Sequence, residues 1–137
     1  MHDVEALMAR LRGARSLPEL LEASFDAFEV IRILARSSED IVPSLYAAFM
    51  TAADAAVDGR QAITIAPSLS QVSLVTTPPA AGADIDTIAV ALAALGELLD
   101  ECLARAADRA LIPGDRAACQ EAAKAGRRIH QLMARGQ

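Results

Sequence analysis

Tryptophan and asparagine are absent from this chain, lysine occurs once as Lys124, and cysteine and histidine occur twice each. Each shortage excludes something. The two histidines, His2 and His130, cannot supply a histidine-based triad together with a second histidine role, nor a multi-histidine metal site, within one chain. Cys102 and Cys119 lack the paired spacing of a metal motif, so two free thiols buried as small hydrophobes are expected. No glycine-rich phosphate loop, HExxH pair or nucleophile elbow occurs. The uncharged, helix-forming stretches 41–53 and 87–96 fall short of the roughly 20 apolar residues of a membrane span. The opening MHDVEALMARLRG has acids before bases and no apolar run, unlike a signal peptide, which leads to the expectation of a cytoplasmic protein. Arginine for lysine and the missing asparagine point to a GC-rich bacterial genome.

What is present is apolar and helix-forming. Hydrophobic residues make up 53 % of the 137 residues, charged ones 23 % and aromatic ones 3 %. A core of leucine, isoleucine and valine with close alanine contacts is therefore implied. Alanine loses no side-chain entropy in a helix and is its strongest former. A chain of this length buries about two thirds of its unfolded surface without needing disulfides.

The chain is read as all-α: a helical bundle of four to five helices, with a long irregular loop before a C-terminal antiparallel helix hairpin. One domain spans 1–137, with three N-terminal helices in 1–66, the loop in 67–83 and the hairpin in 84–137. A first helix from Asp3 to about Arg12 has acids at its start and arginines at its end, as the helix dipole favours. Ser16-Leu-Pro-Glu19 supplies the hydroxyl, first-turn proline and glutamate of a capped helix start. On this second helix the charged residues fall in one narrow stripe, Glu19, Glu22, Asp26, Glu29, Arg32 and Arg36, and the remaining arc is mostly apolar. A third, alanine-rich helix is expected from Ser38–Asp40 to Gly59, tolerating Pro43 in its first turn. Residues 60–66 read as another turn of helix or a short extended piece. The loop 67–83 holds Pro78-Pro79, and within it 71–76 alternates weakly, as a strand would.

The fourth helix, from Asp84 or Asp86 to about Ala110, carries Ile88, Leu92, Leu95, Leu99, Cys102 and Ala106 at alternating steps of four and three, a seam of coiled-coil type. Ile112-Pro-Gly-Asp115 is read as a stop, a turn and a new N-cap, turning the fifth helix back along the fourth. Small residues line up on both: Ala89, Ala93 and Gly96, and Ala118, Ala122 and Gly126. A mid-helix glycine costs about 1 kcal/mol against alanine, so close backbone approach is a plausible return.

Charge is unevenly spread. Residues 1–102 hold 6 basic and 15 acidic side chains, and 103–137 hold 7 and 3, within a net charge of -5. Arg127 and Arg128 with Lys124 form a basic patch on the last helix. With no aromatic platform, an acidic whole and no helix-turn-helix spacing, nucleic acid is disfavoured. Pairing of this patch with the acidic stripe of the second helix, within the chain or across a dimer, is preferred.

One carboxylate pattern points to chemistry: Glu19-x-x-Glu22 and Glu97-x-x-Asp100 each place two acids on one helical face, where facing pairs would hold Mg²⁺. The spacing resembles the acidic pairs of the all-α nucleoside triphosphate pyrophosphatases, and the resemblance implies a metal-dependent nucleotide pyrophosphohydrolase. In that family the pairs sit on consecutive helices, whereas here a helix and the long loop intervene. Solvated faces of amphipathic helices account for the same four acids. The leading expectation is thus a non-catalytic helical protein-interaction module, regulatory, adaptor or assembly protein, homodimeric, with no cofactor or metal. Its candidate interface is Ile88, Leu92, Leu95, Leu99, Arg127 and Arg128, and its partner a protein or a second copy of itself. The alternatives are the pyrophosphohydrolase-like enzyme and a small-ligand-binding helical sensor with 67–83 as a lid.

Overall fold

A computed structural model describes residues 2–69 and 84–135, so the loop expectation for 70–83 and the weak strand pattern at 71–76 lie outside the described residues. Among the described residues the chain is all-helical: α1 (His2–Gly13), α2 (Leu17–Ser38), a 3-10 turn (Pro43–Leu45), α3 (Tyr46–Thr64), α4 (Ile85–Arg109) and α5 (Pro113–Arg135).

The helix starts follow from local chemistry. Ser16 Oγ accepts the Glu19 N–H at 3.3 Å, and the Glu19 carboxylate accepts the Arg15 N–H at 3.0 Å, so donors left over at the start of α2 are satisfied from both sides. Asp84 does the same for α4, accepting the Thr87 N–H at 2.8 Å, and this bond holds its carboxyl below the usual range.

Three boundaries differ from the sequence reading. Pro43 opens a 3-10 turn and α3 begins after it, at Tyr46. The helix then continues through Gly59 to Thr64. Gly59 is no terminator here because it lies flat against the Phe28 ring of α2, where a β-carbon would come within 2.5 Å of ring atoms. Finally, Pro113 is already the first residue of α5. Asp115 therefore sits inside the first turn, where it serves a tertiary contact instead of capping the helix.

Helices α2, α3, α5 and α4 pack in that order around a shared core, α2 also touches α4, and α1 lies along the line where α2 and α4 meet. Phe28, Phe49, Leu21, Ile31, Ile63, Leu92, Leu95, Leu99, Leu103 and Ile129 are fully buried. With so few rings available, alanine sets the spacing: Ala52, Ala53, Ala55 and Ala56 on α3 are all buried, which lets α3 approach both α2 and α5 closely.

Neighbouring helices run in opposite directions, as their cross-contacts show. Phe28 meets Gly59 and Arg36 meets Asp54 between α2 and α3, while Ala93 meets His130 and Asp100 meets Arg127 between α4 and α5. One end of the bundle consequently gathers the C-termini of α1, α3 and α4 with the N-termini of α2 and α5. Asp115, 1 % exposed, ties this end together by accepting both the backbone N–H and the hydroxyl of Ser68, just beyond α3. No helix among the described residues is long and apolar enough to cross a membrane.

Candidate functional site

The leucine seam of α4 lies inside the molecule. Leu92, Leu95 and Leu99 are fully buried and Ile88 nearly so, within the same core cluster as Ile129 and Met133 of α5. Arg127 is exposed and bonded to Asp100 at 3.2 and 3.3 Å, a pair that raises the guanidinium's affinity for its proton. Arg128 is exposed and has no ion pair among the described residues. Within the chain, then, Arg127 answers an acid of α4 and Lys124 answers Glu121 of its own helix, and neither meets the stripe of α2.

The four acids considered for a metal are not brought together. Glu19 and Glu22 line a shallow depression with Arg10 and Gly13 of α1, whereas Asp100 and Glu97 face α5 through Arg127 and His130. Among the described residues no group of three or more histidine, cysteine, aspartate or glutamate side chains is placed to hold a metal ion.

A charged cluster does form between α2 and α3. Glu29, buried, accepts hydrogen bonds from Arg32 at 3.1 and 3.3 Å and from Arg60. Burial works against its negative charge, but the bonds and charges of Arg32 and Arg60 outweigh it and hold the carboxyl below its ordinary range. Both oxygens of the Glu29 carboxylate are bonded by the two arginines, which marks a structural clasp.

A concavity lies where α1 crosses the α2–α4 line, at the end of the bundle described above. It is a groove of about 490 Å³. Its floor is apolar, formed by Leu11, Leu17, Leu20, Leu98 and Ala106, and its rim carries Arg12, Arg15, Arg105 and Arg109 against a single acid, Glu101. The arginines converge for separate local reasons. Arg12 sits in the last turn of α1 and Arg15 in the three-residue link to α2, while Arg105 and Arg109 are one turn apart at the end of α4. Positive charge near a helix C-terminus is favourable in itself. Yet none of the four makes an ion pair among the described residues, although Arg10, Arg32, Arg36, Arg60 and Arg127 all do. Glu101 and Arg105 have the i,i+4 spacing that favours a salt bridge and do not form one.

Cys102 is half-buried in the same wall. Burial pushes its thiol up, against the opposing pull of Arg105 and Arg12. Cys119 is fully buried elsewhere and is pushed up to about 11 by burial and by the charge of Asp115.

In the sequence Arg12 reads only as the end of the first helix, and nothing there relates it to Arg15, Arg105 and Arg109. Arg12 and Arg15 are separated from Arg105 and Arg109 by about ninety positions in the numbering, and no periodicity relates them. The one local signal was Arg105 and Arg109 themselves, a like-charged i,i+4 pair on one helical face, which costs free energy unless something opposite lies nearby. Comparisons with protein-family models, with curated proteins and with solved structures find no match to this chain.

Proposed function

We propose that the chain is a non-catalytic helical binding protein that takes a small ligand into the groove between α1, α2 and α4. The observation that carries this is the combination, in one concavity of about 490 Å³, of an apolar floor with several polar groups that have no partner of their own. Ligand sites have this makeup: apolar walls supply most of the burial and a few polar groups fix orientation. The reading belongs to the sensor class of function. It relies on capture and release, with no step of bond making.

The test is a thermal-shift screen of small apolar and amphipathic compounds against the full chain and against Ala106→Trp, which fills the groove from its α4 wall. Compounds that stabilise the parent and not the variant support the reading. A flat screen of the parent, or stabilisation equal in the variant, overturns it.

Association of the chain with a second copy of itself is favoured by a separate observation. Leu111 is 94 % exposed and Ile65 74 % exposed, both at the end of the bundle that Pro67 and Gly114 close by their mutual contact. A two-fold arrangement would bring the same residues of two copies together. Sedimentation over a concentration series, with Leu111→Asp as the control, reports a dimer that the variant dissociates, or else a monomer throughout, which removes this reading.

A further inference from the structure

We infer that the groove's ligand is an amphipathic anion, an apolar chain ending in a carboxylate or a phosphate. This rests on the groove being the binding site and concerns what it selects. The argument begins with charge. In a chain of net charge -5, the rim sets four arginines against one glutamate, so it is locally positive in an otherwise acidic molecule. Arg12 and Arg15 come from one wall and Arg105 and Arg109 from the other. A head group between them meets guanidinium forks from both sides, and such forks match the paired oxygens of carboxylates and phosphates.

The second part is the floor. A small hydrophilic anion would need the arginines alone, and the half-buried Ala14, Leu17 and Ala106 would stay wet. An apolar chain on the half-buried Ala14, Leu17 and Ala106, above the buried Leu11, Leu20 and Leu98, removes that surface from water while its head stays at the arginine rim. The groove is partly open to solvent, so a ligand reaches it without rearrangement of the helices. Cationic or neutral amphiphiles would cover the floor equally well but would leave the arginines without a partner. Selectivity therefore resides in the charge.

The test is isothermal titration calorimetry of the full chain with four probes, each below its micellar concentration: decanoate, decyl phosphate, decyltrimethylammonium and inorganic phosphate. At least one decyl anion is expected to saturate at one per chain, and whichever head binds more tightly identifies the source of the anion. The double substitution Arg105→Gln with Arg109→Gln is expected to weaken that binding at least roughly tenfold, about the loss of one charge-assisted hydrogen bond. Both side chains are exposed, so the variant folds, and its unchanged circular dichroism and melting confirm this. Decyltrimethylammonium binding as tightly as the anions, or affinity unchanged in the double variant, overturns the anion inference and leaves the groove reading standing. Inorganic phosphate binding as tightly as decyl phosphate overturns the role of the apolar floor. No binding of any decyl compound overturns both.

Discussion

Gly96 of α4 and Gly126 of α5 face each other across the helix pair so closely that a β-carbon on Gly96 would lie 2.7 Å from the Gly126 carbonyl oxygen, and one on Gly126 2.8 Å from that of Gly96. Two backbones in contact cannot yield as a flexible side chain does. Gly96→Ala and Gly126→Ala are each expected to destabilise by about 1–3 kcal/mol or more through forced separation of the helices, despite alanine's better helix propensity. Gly13→Ala is the control: nothing lies within 4 Å of the added carbon, and propensity alone should leave stability equal or better. Urea denaturation of the three variants measures the difference. Equal stability of all three would contradict the close crossing.

This crossing also shows what the sequence carried and what it could not. Periodicity and capping residues are local, so the five helices, the Ser16 cap and the existence of a break between the fourth and fifth helices could be read directly, though not its exact place. The small-residue rows of the fourth and fifth helices signalled close approach, and Gly96 and Gly126 make it. The role of Gly59 was not local: its meaning depends on the Phe28 ring, 31 positions away, so a helix end was expected where the helix continues. Likewise the α4 seam signalled burial but not against what, and the molecule's own core takes it. The groove depends on the ends of three helices meeting, which no spacing in one helix encodes.

Gly59 gives its own expectation. Gly59→Ala drives a methyl into the Phe28 ring and is expected to cost about 1–3 kcal/mol. Phe28→Leu in the same chain opens room and should recover part of that loss, even though Phe28→Leu alone destabilises the core. A double-mutant cycle by thermal denaturation reads the coupling, and strict additivity would mean the two residues do not touch.

Glu29 makes stability depend on pH. Its carboxyl titrates below its ordinary range in the folded chain, so its contribution is complete above the unfolded value and is lost as pH falls through the folded one. Glu29→Gln is expected to cost about 1–2 kcal/mol at pH 7, less than a fully enclosed ion pair would, because the Arg32 and Arg60 side chains are 35 % and 30 % exposed. From about pH 5 downward the difference between parent and variant should shrink. Denaturant midpoints measured from pH 7 to acid check this, and a constant difference would contradict the clasp.

Asp115 connects α5 to the segment after α3. Asp115→Ala leaves the Ser68 N–H without its acceptor and is expected to cost about 1–3 kcal/mol, whereas Ser68→Ala keeps the backbone bond and should cost less. Hydrogen exchange at the Ser68 amide reports the same contact, with protection lost in Asp115→Ala and kept in Ser68→Ala.

The central claim is that the groove between α1, α2 and α4 is a binding site, and Cys102 in its wall reports on it directly. The measurement is the alkylation rate of Cys102 in the full chain, followed by mass spectrometry as decanoate or decyl phosphate is added. Cys119, buried and with its thiol pushed up to about 11, serves as the unreactive internal reference. Saturable slowing at Cys102 alone, to a plateau at about one ligand per chain, is the expected result. A rate unchanged by both ligands across the concentration range would contradict it.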